Sequence, residues 1–281
     1  MKKVFFFLFL AGLWTACDII DKPFKNALTI DWAGLSYADT LKQTDRAIFI
    51  EDFTGHTCKN CPKATKVLMR LDTLYGTRVV PLAIHALATG FSGVSSDYPT
   101  DFTTTEGGEL YLFFGPPIGI PNGMVQRSGF PGNNWKSYNS WQSLAATELN
   151  KPTSALFTLI PGYHVSDRHA VLKYTVSKVL ASAHEIKVAF YLTESGIVSA
   201  QLMPDGTRNP AYVHNHILRA APLSILGKGA LASTAVVGES HSGFMAYALP
   251  TEWNEEKMDW IAIAYDAITY EVLQAAVLPV R

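Results

Sequence analysis

Two apolar runs on either side of a helical segment limit the fold of this chain more than any other feature. Residues 46–53 and 78–85 have the composition of buried strands. Between them, apolar residues recur at the spacing of one face of a helix: Val67, Leu68, Leu71, Leu74 and Tyr75. Gly76 follows them, and glycine commonly terminates helices. This order predicts two parallel strands, with the first turn at the carboxyl edge of their sheet, where open parallel sheets bind ligands.

A Cys-x-x-Cys pair, Cys58 and Cys61, occupies that first turn. If Cys58 lies at the start of the helix, unpaired N–H groups and the helix dipole stabilise its thiolate, and Lys59 adds positive charge. Cys61 is then spaced to close a small disulfide that resolves a mixed disulfide with a partner. The pair thus predicts redox exchange. The alternatives are a static disulfide and a metal site completed by His56 and His85.

Composition restricts the other functional classes. The chain has 281 residues, of which 48% are hydrophobic, and a net charge of -1. It is long enough for two ordinary domains and offers no global charge for binding nucleic acid. Because no phosphate-binding loop, Ser-His-Asp signature or HExxH motif is present, no cofactor and no metal ion is assigned. The oligomeric state is not predicted.

The first residues have the pattern of an export signal. A basic start, Lys2-Lys3, precedes an apolar core that is too short to span a bilayer comfortably. Residues 13–17 resemble a bacterial lipobox, which implies that Cys17 receives a lipid and that the mature protein is anchored to a membrane. With Cys17 assigned, the other two cysteines remain as one pair. An ordinary cleaved signal with a stray cysteine is the alternative.

The remaining sequence divides into a tether at residues 18–44 and two domains. The first domain covers residues 45–152 and carries a Gly-, Ser-, Thr- and Asp-rich insertion at about 86–105, over the edge that holds the cysteines. A helix is predicted from about Asn134 to Leu149, with Trp135, Tyr138 and Trp141 on its buried face rather than in a ligand site.

The second domain, residues 153–281, has about seven strand-like runs and predicts a β-sandwich. The runs are 155–160, 170–179, 186–192, 212–218, 244–249, 260–265 and 271–278. Within one predicted strand, His214 and His216 would share a face and could chelate a metal, although hydrogen-bonded strand histidines are more common.

Residues 115–127 resemble the loop of thioredoxin-like proteins that carries an aromatic-Gly-x-x-Gly-Ile-Pro motif. The resemblance implies a cis peptide bond between Ile120 and Pro121 and a loop that faces the cysteine turn. Pro121 would then belong to the catalytic set because it orients the substrate. Ile120, Lys59 and Asn60 are the predicted substrate-binding residues.

The same resemblance assigns a role to an acidic residue on the first strand. Asp52 lies six residues before Cys58 and is followed by Phe53, as is the buried acid of thioredoxin. On that match Asp52 is a general acid/base for Cys61. The predicted fold is therefore an α/β thioredoxin-like domain followed by an all-β immunoglobulin-like sandwich domain.

The two-domain order also resembles the outer-membrane lipoproteins of Bacteroidetes that are named for a twenty-eight-kilodalton protein. Residues 51–55, 58–62 and 212–219 carry this resemblance, which implies an outer-membrane location. The resulting hypothesis is an envelope-anchored thiol-disulfide oxidoreductase that acts on protein thiols or disulfides. The alternative is a non-catalytic binding or adhesion lipoprotein on a thioredoxin scaffold.

Overall fold

The computed structural model describes residues 35–281. The predicted signal peptide, the lipidated Cys17 and most of the tether lie outside these residues. The described residues belong to one compact unit that contains fifteen strands and three α-helices. None of these three helices is long and apolar enough to cross a membrane.

The first half of the described chain has the predicted strand-helix-strand order. Its elements are β1 (Leu35–Tyr37), β2 (Leu41–Gln43), β3 (Ile48–Phe53), α1 (Cys61–Tyr75), β4 (Val79–Ile84), α2 (Thr105–Phe113), β5 (Asn122–Val125) and α3 (Tyr138–Leu149). β3 and β4 are parallel, and β5 pairs antiparallel with β3 on its other side. The predicted parallel pair is therefore present.

The second half is almost entirely β-structure. Its strands are β6 (Ala155–His164), β7 (His169–Lys178), β8 (Ile186–Glu194), β9 (Ile197–Leu202), β10 (Arg208–His214), β11 (Ile217–Ala220), β12 (Lys228–Leu231), β13 (Ser240–Ala248), β14 (Met258–Asp266) and β15 (Val272–Pro279). The single strand predicted at 212–218 is wrong. His216 has φ +58°, and this left-handed conformation interrupts the extended chain between β10 and β11.

One sheet joins the two halves. Eight strands form it, in the order β15-β14-β8-β11-β4-β3-β5, with β12 paired to β8. β11 lies parallel to β4, with Ile217 opposite Ala83, so the sheet continues across the predicted domain boundary at 152–153. A second sheet contains β1, β2, β6, β7 and β13, while β9 and β10 form a separate hairpin.

Successive side chains of β3 point to opposite faces of the sheet and therefore belong to two different hydrophobic cores. Ile48 and Ile50 pack with α1 and α3, whereas Phe49 and Phe53 pack on the opposite face with residues of the second half. A further core, which includes Tyr174, fills the space between the two large sheets. Each face of the eight-stranded sheet is thereby covered by apolar packing.

A buried ion pair connects the halves. Arg127 donates two hydrogen bonds to the Glu51 carboxylate, at 2.9 and 2.7 Å, and a third to the hydroxyl of Tyr191 at 2.9 Å. Both charged side chains are fully buried and have lost their hydration. Their mutual attraction and their hydrogen bonds offset that desolvation cost. Glu51 and Asp52 are neighbours on β3, but their side chains point to opposite faces.

Two helix predictions require correction. In α1, Leu68 and Leu71 are buried as expected, but Leu74 is 54% exposed, while its neighbour Tyr75 packs against the core beneath the helix. α3 begins at Tyr138 rather than near Asn134, since the Ser137 side chain accepts a hydrogen bond from the N–H of Asn139 and caps the helix there.

Candidate redox site

The two cysteines form a disulfide beyond the carboxyl end of β3, with their Cα atoms 5.4 Å apart. α1 begins at Cys61, directly before Pro62, whose missing N–H costs nothing in a first turn. Cys58 therefore does not start the helix, and the condition under which the helix dipole would stabilise its thiolate is not met. Cys58 instead lies in the preceding turn, where its N–H donates to the carbonyl oxygen of Gly55 at 3.1 Å.

Both sulfur-bearing residues are buried. Cys58 is 3% exposed and Cys61 is 1% exposed, although Lys59 and Asn60 between them are exposed. A disulfide that a protein partner attacks directly must present a sulfur atom at the surface. In this conformation the predicted substrate-binding residues Lys59 and Asn60 are accessible, but the disulfide is not.

Two segments cover the cysteine turn. The first is the segment predicted as an insertion at 86–105. The N–H of Thr57 donates to the carbonyl oxygen of Phe91 at 3.1 Å, and the ring Nε2 of His56 lies 2.9 Å from the carbonyl oxygen of Gly93. Gly55 permits this approach, because a Cβ atom there would lie 2.5 Å from the oxygen of Phe91.

The β9–β10 hairpin forms the other part of the cover. The N–H of Leu202 donates to the carbonyl oxygen of His56 at 2.8 Å, and the side-chain amide of Gln201 donates to that of Cys58 at 3.2 Å. At its tip, Arg208 donates to the carbonyl oxygen of Asp97 at 2.7 Å, which joins the hairpin to the 86–105 segment.

Sequence reasoning missed this hairpin and the site residue Gln201. A signal was present, because residues 203–206 read Met-Pro-Asp-Gly, a turn sequence between two short runs. Even with the turn recognised, the sequence does not indicate that the hairpin leaves the sheets and lies over the cysteines.

The loop before β5 contains the cis peptide bond that the thioredoxin resemblance implies. The Ile120–Pro121 peptide bond is cis, and both residues are half-buried. Asn122 pairs opposite Phe53, the last residue of β3. Pro121 therefore lies at the same edge of the sheet as the turn that contains Cys58.

Asp52 lies on the α1-facing side of β3 and is 1% exposed. Burial raises the pKa of its carboxyl group to about 8, so this group keeps its proton at neutral pH. Its Oδ1 has no hydrogen-bond partner among the described residues. Asp52 and Cys61 line the same pocket, whose volume is about 40 Å³.

Three buried histidines surround Phe102 next to this pocket. The rings of His56, His85 and His214 lie 5.8, 4.9 and 4.5 Å from that of Phe102, centroid to centroid. Burial, with His214 and His56 as neighbours, holds the pKa of His85 well below its usual value. Burial and the proximity of His56 lower the pKa of His214 to about 4.

The metal-site alternatives receive no support from this geometry. No group of three or more His, Cys, Asp or Glu residues between 35 and 281 is arranged to hold a metal ion. The shared strand face expected for His214 and His216 is also wrong, because β10 ends at His214 and the φ of +58° turns His216 away from the strand.

The chain is similar to solved structures of three bacterial proteins. HBP35 of Porphyromonas gingivalis aligns over 84% of this chain and 75% of its own, with 14% identity and a TM-score of 0.64. A protein from Agrobacterium tumefaciens (12% identity, 85% and 96% covered) gives a TM-score of 0.49. A domain of the outer membrane lipoprotein Omp28 from P. gingivalis (18% identity, 45% and 88% covered) gives 0.29.

The similarity to HBP35 is one of fold, because the sequence identity is low. No protein-family model matches the sequence, and no curated protein matches it at a significant level. Two of the similar proteins come from P. gingivalis.

Proposed function

We propose that this chain is an envelope-anchored thiol-disulfide oxidoreductase that cycles Cys58 and Cys61 between disulfide and dithiol. The observation that carries the proposal is the position of Asp52, a buried carboxyl group that shares a small pocket with Cys61 and whose Oδ1 has no hydrogen-bond partner among residues 35–281. A carboxyl group that is protonated near neutral pH can give a proton to a departing thiolate and recover it later.

The proposal includes the finer fold assignment. Residues 45–152 would be a thioredoxin-like domain, supported by the parallel β3 and β4, the antiparallel β5 and the cis bond before Pro121. Residues 153–281 would be an immunoglobulin-like sandwich, extended by pairing with the first domain. The fold similarity to HBP35 over 84% of the chain is consistent with this arrangement.

The expected partners are protein thiols or disulfides in the cell envelope. Exchange at Cys58 requires the β9–β10 hairpin to move, since Gln201 and Leu202 bind the backbone of the cysteine turn. Ile120 and Pro121 would then orient the partner's extended segment. Local opening of this kind occurs in segments that are outside the main sheets.

A second candidate function is a non-catalytic binding or adhesion lipoprotein in the outer membrane. The burial of both cysteines favours it, because a disulfide that is 3% and 1% exposed at its two ends can serve only as a structural bridge unless the cover opens. On this proposal the exposed parts of the 86–105 segment and the hairpin hold the partner.

Redox titration separates the two functions. The full chain in detergent is equilibrated with glutathione buffers, and the thiols of Cys58 and Cys61 are trapped and counted. A reversible couple within the range of known exchange catalysts, roughly −270 to −120 mV, supports the oxidoreductase. A disulfide that resists reduction in the folded protein supports the binding function.

Membrane attachment through Cys17 is a separate proposal. It is supported by the lipobox resemblance of residues 13–17. The test is incorporation of labelled fatty acid into the expressed protein, which the change Cys17→Ser should abolish. Cys58→Ser is the matched control and should leave the labelling unchanged.

A further inference from the structure

The pocket beside the disulfide is reached from the side of Cys61 rather than Cys58. Its lining includes Cys61, Asp52 and His85 in the interior, and Met69 and His216 towards solvent, but not Cys58. Met69 is 59% exposed and His216 is half-buried, so the mouth lies between α1 and the turn that follows β10. Only Cys61 of the two cysteines therefore adjoins a space that opens to solvent here.

The size of the pocket restricts what can enter. A volume of about 40 Å³ holds about three water molecules, which excludes a peptide segment or a bulky thiol. A protein partner must displace the hairpin to reach a sulfur atom, whereas a molecule with two or three heavy atoms fits within the pocket that Cys61 lines.

The lining is suited to a small molecule that both donates and accepts hydrogen bonds. Asp52 Oδ1, His85 Nδ1 and His214 Nε2 are buried polar atoms without hydrogen-bond partners among the described residues. The side chains are 1%, 3% and 5% exposed, and all three residues line the pocket. Buried polar groups are normally hydrogen-bonded, and a polar molecule in the pocket would supply the partners that these atoms lack.

We propose that the reduced pair is oxidised by hydrogen peroxide, which enters this pocket and reacts first with Cys61. This inference rests on the proposed function, because it requires a reversible Cys58–Cys61 couple, and it names the oxidant of that couple. It also reverses the order of the two cysteines for this step, since Cys61 attacks and Cys58 resolves.

The chemistry balances with the residues present. The Cys61 thiolate attacks one peroxide oxygen, the O–O bond breaks, and the departing hydroxide takes the Asp52 proton, which gives Cys61 sulfenic acid and water. The thiol of Cys58 then attacks the Cys61 sulfur and releases a second water molecule as the disulfide forms. The proton that Cys61 loses before the attack passes to solvent, and Asp52 takes one proton back from solvent after the reaction. Two thiols and one peroxide thus yield one disulfide and two waters.

The test begins with the full chain in detergent, reduced with dithiothreitol, desalted and mixed with hydrogen peroxide at pH 7. Alkylation and mass spectrometry follow the peptides that contain Cys58 and Cys61 separately from any that contains Cys17. We expect disulfide formation about 10²-fold faster than the oxidation of free cysteine, the scale of a positioned general acid. A rate equal to that of free cysteine would overturn the proposal.

Variants identify the reacting sulfur and the acid. Cys58→Ser should accumulate sulfenic acid at Cys61 that dimedone captures, whereas Cys61→Ser should give no capture at Cys58; the opposite labelling would reject the proposed order. Asp52→Asn should slow oxidation by about 10²-fold. Asp72→Asn, at an exposed position of the same helix as Cys61, is the matched control and should leave the rate unchanged.

Failure of this inference can be told apart from failure of the proposed function. If dithiothreitol does not reduce the pair in the folded protein, both fail. If the pair is reversible with glutathione but reacts with peroxide no faster than free cysteine does, only the peroxide reaction is rejected. The comparison of the wild-type chain with free cysteine requires no variant, so a substitution that prevents folding does not remove the test.

Discussion

The side-chain amide of Gln201 donates a hydrogen bond to the backbone carbonyl of Cys58 at 3.2 Å, across a sequence separation of 143 residues. Gln201 is 3% exposed, and its neighbour Leu202 binds the backbone of His56. The second half of the chain therefore covers the cysteine turn of the first half. Access to Cys58 is coupled to the position of one hairpin.

We expect Gln201→Ala to loosen this cover. Loss of the amide removes one of the two hydrogen bonds to the Cys58 carbonyl oxygen, which the N–H of Cys61 still satisfies, and should cost about 0.5–1.5 kcal/mol of hairpin binding to the turn. Reduction of the disulfide by dithiothreitol should then become up to about tenfold faster, since about 1.4 kcal/mol corresponds to a factor of ten. Gln142→Ala, at an exposed position of α3, is the control. Equal reduction rates in the two variants would contradict the covering role.

Asp52 should make the protein less stable as the pH rises. The unfolded carboxyl group ionises near its usual pKa of 3.8, while burial raises the pKa of the folded group to about 8. Between these values the folded state binds more protons than the unfolded state, so the free energy of unfolding falls with increasing pH. The loss approaches about 6 kcal/mol for one isolated group.

Asp52→Asn should remove this dependence. Urea unfolding at pH 5, 7 and 9 measures it, with Asp72→Asn as the control for the loss of one carboxylate. If Asp52→Asn and the wild-type chain have parallel pH profiles, the carboxyl group is not buried as described.

His214 should have the opposite effect in acid. Its pKa is lowered from 6.5 to about 4, so below pH 6.5 the unfolded state takes up a proton that the folded state does not. The free energy of unfolding therefore falls as the pH drops from 6.5 towards 4, by up to about 3 kcal/mol. His214→Gln should reduce this loss in urea unfolding at pH 7 and pH 4.5. His241→Gln, on the other sheet, should not reduce it.

Gly55→Ala should disturb the contact between the cysteine turn and the 86–105 segment. The added Cβ atom would lie 2.5 Å from the backbone oxygen of Phe91, which cannot move without the segment, and overpacking of this kind costs about 1–3 kcal/mol. Gly93→Ala is a matched control in that segment, because a Cβ atom there has nothing within 4 Å. Similar unfolding midpoints for the two variants would contradict this prediction, because they would show that the 86–105 segment shifts without loss of stability.

The sequence by itself determined the local features of the site. Periodicity predicted the strand, helix and strand around the cysteines, and the motif at Ile120-Pro121 implied the cis bond, because both depend on residues that are close in the chain. The sequence also indicated that Asp52 lies in a buried strand. Local chemistry further explains why α1 starts at Cys61, before Pro62, rather than at Cys58.

Only the tertiary structure decided which distant segments meet. The pairing of Ile217 with Ala83 joins the two halves in one sheet, and the hydrogen bond from Gln201 places the hairpin over Cys58. Neither contact has a periodic signal, because backbone pairing and buried amide contacts depend on how whole sheets pack rather than on neighbouring residues. The exposure of the cysteines and the pocket at Cys61 follow from that packing, so the reactivity of the site is a property of the assembled fold.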